Sequence, residues 1–128
     1  MLNAEIKPTE SPAIEPATVL SKAAVRTAEQ LGLSQVRLAK VLGVSTATAS
    51  RLVAGRYQLQ IDSKEWDFAV LLVRLFRSLD SIVGTQEAAR AWLNGENLAL
   101  AAAPIDLIQQ TEGLVRVVQY LDASRARV

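Results

Sequence analysis

Apolar residues recur at intervals of three and four along most of this chain, and runs that alternate with period two are missing. That is the periodicity of helices, so the expected fold class is all-α. Polar caps and glycines mark the boundaries. Val19, Leu20, Ala23, Ala24, Ala28 and Leu31 form a first stripe, with Thr18 or Ser21 as its cap and Gly32 as its stop. Ser34 opens a second helix carrying Val36, Leu38, Ala39 and Leu42, and Gly43 ends it where a positive φ is wanted. Val44 plugs the junction. Ser45 caps a third helix, Thr46 to about Ala54, which stops at Gly55. Two short helices joined by so tight a turn, with the small Ala39 four residues before the turn glycine, follow the helix-turn-helix plan.

The second half continues in the same period. Tyr57 and Leu59 pin an irregular link to the core. Asp62 or Ser63 then caps a long helix, KEWDFAVLLVRLFRSLDSIVG, with Glu65 in its first turn and Gly84 at its end. One face of that helix carries Trp66, Ala69, Val70, Val73 and Phe76, and another carries Phe68, Leu71, Leu72, Leu75 and Leu79. A helix apolar on two sides is buried on two sides, as a central helix or a subunit interface. Thr85 caps QEAARAWLN, whose Trp92 and Leu93 close onto the core, and Asn94-Gly95-Glu96-Asn97 is a turn. Leu98 to Ala103 is small and apolar. Pro104 fits the first position of a short helix, PIDLIQQ, with Asp106 in its first turn, and Thr111-Glu112-Gly113 breaks it. A last helix buries Leu114, Val117, Val118 and Leu121, with Arg125 and Arg127 in its final turn. Residues 1–17 hold Pro8, Pro12 and Pro16 among Glu, Thr and Ser and read as a flexible tail. The expected organisation is thus a tail over 1–17, a helix-turn-helix domain over 18–61 and a second helical domain over 62–128.

Charge adds to the picture of the first domain. The net charge of +1 hides a strong asymmetry: residues 21–60 carry +5, while 1–20 carry −2 and 61–95 and 96–128 carry −1 each. A local cationic patch is what phosphate binding requires. The third helix has a narrow apolar face of Ala49, Leu52 and Val53, and the other side presents Ala47, Thr48, Ser50 and Arg51, with Ser45 and Thr46 leading. Short side chains let a helix enter a major groove about 12 Å wide, and arginine reads guanine in bidentate fashion. Gln35, at the start of the second helix, and the cationic Lys40 are placed for phosphates. The expected DNA-binding set is Gln35, Lys40, Ser45, Thr46, Ala47, Thr48, Ser50 and Arg51. The bland alternative is a helical hairpin with a solvated face.

Composition removes much enzymology. With no His and no Cys among 128 residues, no His-based acid–base pair, thiolate nucleophile or ordinary zinc site can form, and no glycine-rich phosphate loop is present. No cofactor and no enzymatic activity are expected. The core is built from Ala, Leu and Val, since half the residues are hydrophobic but only 5% aromatic. No apolar run of about 18 uncharged residues and no basic-then-apolar leader occur, so a cytoplasmic protein without a membrane is expected.

From about Trp66 to Arg127 the chain resembles the toxin-binding domain of the Xre/ParS/MbcA-type antitoxins. The pieces are the VRLFRSLDSIVG helix end, Ala91-Trp92-Leu93, Asn97 and Leu100, Pro104-Ile105-Asp106-Leu107-Ile108, Thr111-Glu112-Gly113-Leu114 and Gln119-Tyr120-Leu121-Asp122. One departure stands out. Relatives often place Gly between the Asn-x-x-Leu stretch and the proline helix, where this chain has Ala101, Ala102 and Ala103. Alanine disfavours positive φ, so a more helical loop is expected.

The resemblance implies an antitoxin of a type II system, encoded beside a RES-domain toxin that degrades NAD⁺ or transfers ADP-ribose from it. The second domain would bind and block that toxin, and the helix-turn-helix would bind operator DNA at its own promoter. A homodimer and a higher toxin–antitoxin hetero-oligomer would form, in the cytoplasm and on the nucleoid when operator-bound. Trp92, Leu98, Leu100 and Tyr120 are the expected apolar anchors for the toxin. Arg116, Arg125, Arg127 and the terminal Val128 are the expected reach toward a pocket built for an anionic pyrophosphate. Three rival readings are a stand-alone regulator whose second half dimerises or senses a ligand, a scaffold that has lost DNA binding, and an enzyme, which the missing His, Cys and glycine-rich motifs disfavour.

Overall fold

The computed structural model describes residues 15–126. Among them are seven helices: α1 (Pro16–Leu31), α2 (Gln35–Leu42), α3 (Thr46–Val53), α4 (Lys64–Val83), α5 (Gln86–Asn94), α6 (Pro104–Leu107) and α7 (Thr111–Arg125). The fold is all-α, as the periodicity requires. The expected tail, up to residue 14, lies outside the described residues.

Local chemistry sets most boundaries. The hydroxyls of Ser34, Ser45, Ser63 and Thr85 each accept the backbone N–H three residues on, at the starts of α2, α3, α4 and α5. Three glycines in the left-handed region, Gly32, Gly43 and Gly84, close α1, α2 and α4. Of the two caps considered for α4, Ser63 takes the role. Asp62 instead sits at φ 63, a region Asp tolerates better than most residues.

α4 is the central helix. α7 packs along it, as do α1 and α2, and α5 joins α4 to α1 and α6. A single apolar cluster runs from Ala24 and Leu31 through Leu42, Leu52, Leu72 and Leu79 to Leu93, Ile108 and Leu121. Three polar ties reinforce it. Arg90 on α5 donates to the carbonyls of Gln30 (3.0 Å) and Glu29 (2.6 Å), satisfying the open end of α1. Glu65 accepts from Tyr57 Oη (2.7 Å) and from the Gln60 backbone (2.9 Å), holding the link between α3 and α4. Asp122 on α7 accepts from Arg74 and from the fully buried Ser78 hydroxyl (2.8 Å), both on α4.

Four expectations are corrected. α1 begins at Pro16, before both expected caps, because proline's fixed φ suits the first helical position. Ser21 is buried and accepts the Leu59 N–H (2.9 Å) instead of capping. Val19 and Val70, expected in buried stripes, are 50% and 44% exposed. They flank an open groove between α1 and α4. The loop before α6 is not helical. Asn97 and Ala102 form an isolated antiparallel bridge, and Ala101 adopts φ 62. Finally, Thr111-Glu112-Gly113 is the first turn of α7, not a break. Glycine is there because a Cβ at Gly113 would overlap the Leu107 carbonyl, so α6 and α7 can meet closely only without a side chain.

Candidate nucleic-acid interface and partner-binding face

The α2–α3 turn is fixed from below. Gly43 lies at φ 72, and a Cβ there would come to 3.3 Å from the Phe68 ring of α4. Ala49 and Leu52 are buried, which fixes the rotation of α3 and turns its other side outward. Ser45, Thr46, Ala47, Ser50 and Arg51 are exposed on α3, and Gln35 and Lys40 are exposed on α2. Thr48 is half-buried because it is the hub of a small network. Its hydroxyl oxygen accepts from Ser45 Oγ (3.0 Å) and from Arg51 Nη2 (3.1 Å), while its N–H donates to Ser45 Oγ (3.0 Å). The guanidinium is thereby drawn toward the N-terminal end of α3. Gln35 occupies the first position of α2, where unpaired N–H groups favour an anion.

Sequence reasoning missed Arg56 as a contact candidate. It is exposed just past the end of α3, and its backbone N–H donates to the Arg51 carbonyl (2.8 Å). The signal was its place just after the helix-stopping glycine, five residues from Arg51. The link beside it holds Tyr57. Burial, and then the hydrogen bond to Glu65, raise its hydroxyl above the ordinary tyrosine value.

The second face lies on α5, α7 and the turn between α5 and α6. Trp92 and Tyr120, both half-buried, stack with centroids 6.3 Å apart and planes 17° from parallel. Leu98 stands 98% exposed on the turn. That turn is tied down: Asn97 Oδ1 accepts the Leu100 N–H (3.0 Å), the Asn97 N–H donates to the Ala102 carbonyl (3.1 Å), and Arg116 reaches the Ala99 carbonyl at 3.5 Å. An apolar side chain standing in water on a tied turn that a guanidinium also reaches has the composition of a protein-binding surface.

The expected partner-binding residues therefore separate. Trp92 and Tyr120 stack on one another, and Arg116 reaches the turn that carries Leu98. Leu100 is corrected: it is 2% exposed and part of the core, because the turn sends it inward while Leu98 points out. Arg125 is corrected in place: it lies about 140° around α7 from Tyr120 and lines the α1–α4 groove instead. Arg127 and Val128 lie outside the described residues.

No helix among the described residues is long and apolar enough to cross a membrane, and no group of three or more carboxylates there could hold a metal ion.

Comparison with known proteins gives two family matches in one chain. Residues 12–74 match the antitoxin Xre-like helix-turn-helix domain, and residues 78–127 match the antitoxin Xre/MbcA/ParS C-terminal toxin-binding domain. Among solved structures, the chain is similar to one from the crystal structure of the M. tuberculosis MbcT–MbcA toxin–antitoxin complex. Identity is 24% and the TM-score 0.62, over 86% of this chain and 96% of that one, which shows a shared fold. No curated protein sequence matches.

Proposed function

Since the chain belongs to the Xre/MbcA/ParS antitoxins, with a helix-turn-helix domain and a toxin-binding domain, we propose that it neutralises a RES-domain toxin encoded beside it and represses its own operon. The toxin would consume NAD⁺ or transfer ADP-ribose from it. The part from Pro16 to residue 61 reads DNA, and residues 62–128 are the toxin-binding and dimerising part. The chain works in the cytoplasm, on the nucleoid when bound to operator, and by binding alone, with no catalytic residues of its own.

One observation carries the reading. Leu98, almost wholly exposed on a pinned turn that Arg116 also reaches, is what an anchor for a partner's pocket needs. On the other half, the Ser45–Thr48–Arg51 network supports base readout by α3, with Gln35 and Lys40 on phosphates. One α3 helix spans few base pairs, so a dimer reading two half-sites completes the operator complex.

The test is co-expression with the adjacent reading frame. The toxin alone should lower cellular NAD⁺ and stop growth, and the full chain should restore both. The Leu98→Asp variant should fold and still bind DNA, yet lose rescue. Rescue by Leu98→Asp at wild-type strength would remove Leu98 as anchor, and a neighbour that leaves NAD⁺ untouched would remove the RES assignment.

A further inference from the structure

A concavity of about 260 Å³ lies where α1 meets the end of α3. Val25, Leu52 and Val53 floor it, and the exposed Lys22, Arg26, Gly55 and Gln58 stand around it. Two ties fasten the link after α3 onto α1 and hold its walls together. Ser21 Oγ accepts the Leu59 N–H (2.9 Å), and Gln58 Nε2 donates to Thr18 Oγ1 (2.8 Å). Neither Lys22 nor Arg26 is in an ion pair among the described residues. Glu29, the acid on the lining, is about 10 Å from Lys22 along the axis of α1.

We infer that Lys22 and Arg26 grip the sugar-phosphate strand that borders the DNA groove entered by α3. This contact rests on the DNA-reading role proposed above and adds α1 to the elements that touch the duplex. Thr46, Ser50 and Val53 recur at intervals of four and three, so they form one stripe of α3. Thr46 and Ser50 are exposed, and Val53 lines the concavity. The exposed side of α3 therefore leads to the place where Lys22 and Arg26 stand. Those two residues are one turn apart, about 6 Å along α1. Charges recur on each DNA strand every 3.4 Å or so of axis, so two long side chains at that spacing meet a single strand. The size of the site favours a strand over an enclosed ligand, since small-molecule sites run to about 300–1,000 Å³. Gly55 leaves the approach clear, because a Cβ built there would meet nothing within 4 Å.

Anisotropy titrations of the full chain over a range of NaCl concentrations test the contact. The probes are a duplex from upstream of the chain's own reading frame and a scrambled duplex of the same composition. Lys22→Ala and Arg26→Ala should each weaken both duplexes and lower the slope of log K against log salt by about one, and the double variant by about two. The ratio of the two affinities should stay at its wild-type value, because a phosphate contact carries no base information. Lys22→Arg keeps the charge and should keep the slope. Both side chains are exposed, so circular dichroism should report an unchanged fold. Ethylation interference should show phosphates whose modification weakens the wild type but not the double variant, at positions distinct from those lost with Lys40→Ala. Variants with the wild-type slope and interference pattern overturn the inference and leave DNA binding standing. A site reserved for a small free anion would give that result. A lowered slope with no phosphate position altered overturns it too, since a distant charge then accounts for the effect. A wild type that binds neither duplex removes the DNA-reading role itself, and this contact with it.

Discussion

Arg51 is restrained in the chain as it stands. Its bond to the Thr48 hydroxyl restrains a side chain that otherwise loses much rotamer freedom on binding. Replacing Arg51 by Ala should cost about 1–3 kcal/mol of operator affinity and relax base preference, measured by titration against operator and scrambled duplexes. Lys40→Ala should behave differently, weakening both duplexes alike and flattening the log K against log salt slope by about one. A purely electrostatic Arg51 would show the Lys40 pattern, so the two variants separate reading from holding. Tyr57 gives a prediction in pH. Its folded pKa is raised, so the protonated hydroxyl is favoured by folding. That contribution is complete below the unfolded value of 10.0 and is lost as pH climbs through the folded one. The wild type should therefore lose melting temperature relative to Tyr57→Phe only in the alkaline limb, and equal slopes there would assign the shift no energetic weight.

At the scale of elements, the two small-residue positions of the second half act in opposite senses. Ala101 sits at φ 62, where a Cβ is strained, so Ala101→Gly should stabilise the turn by about 1 kcal/mol. Gly113 lies in a helix, where alanine is ordinarily preferred by about that amount, yet Gly113→Ala should destabilise by more than 1 kcal/mol, because the new methyl meets the Leu107 carbonyl. Chemical denaturation of both variants reads the pair of signs. These positions also mark where the sequence stopped being legible. Helix starts at Ser34, Ser45, Ser63 and Thr85 were readable because a cap acts within three residues. Where structure and expectation differ, the cause lies far away in the chain. Nothing local says that α6 crosses close over Gly113, or that the Asn97–Ala102 bridge forces Ala101 past its preference. Leu98 and Leu100 look alike in sequence, and only the fold of the turn decides which one faces water. The outward side of α3 was legible because its rotation follows from Ala49 and Leu52 alone. Arg125 could have been separated from Tyr120 by periodicity, since five residues turn a helix well past a right angle.

For the whole molecule, the two halves share one interior. The core cluster continues through α4, which packs against α1 and α2 on one side and against α7 and α5 on the other. A cut between residues 61 and 62 would strip α1 and α2 of the helix that covers them, so each half would expose apolar surface that the intact chain hides. The chain should therefore melt in one transition, and damage in the second half should register in the first. Asp122→Ala supplies the damage. It removes the partner of Arg74 and leaves the hydroxyl of fully buried Ser78 without its acceptor, a loss of about 1–3 kcal/mol. Asp122 lies on α7, far in sequence from α3, so an independent DNA-reading unit would not sense the change. With a common core, amides of α2 and α3 should lose hydrogen-exchange protection by the same free energy as those of α7. Unchanged protection in α2 and α3 would mean that α4 ends one folding unit and begins another. Equal loss would mean that tightening α4 against α7, as toxin binding on α7 would do, also tightens the platform under the recognition helix.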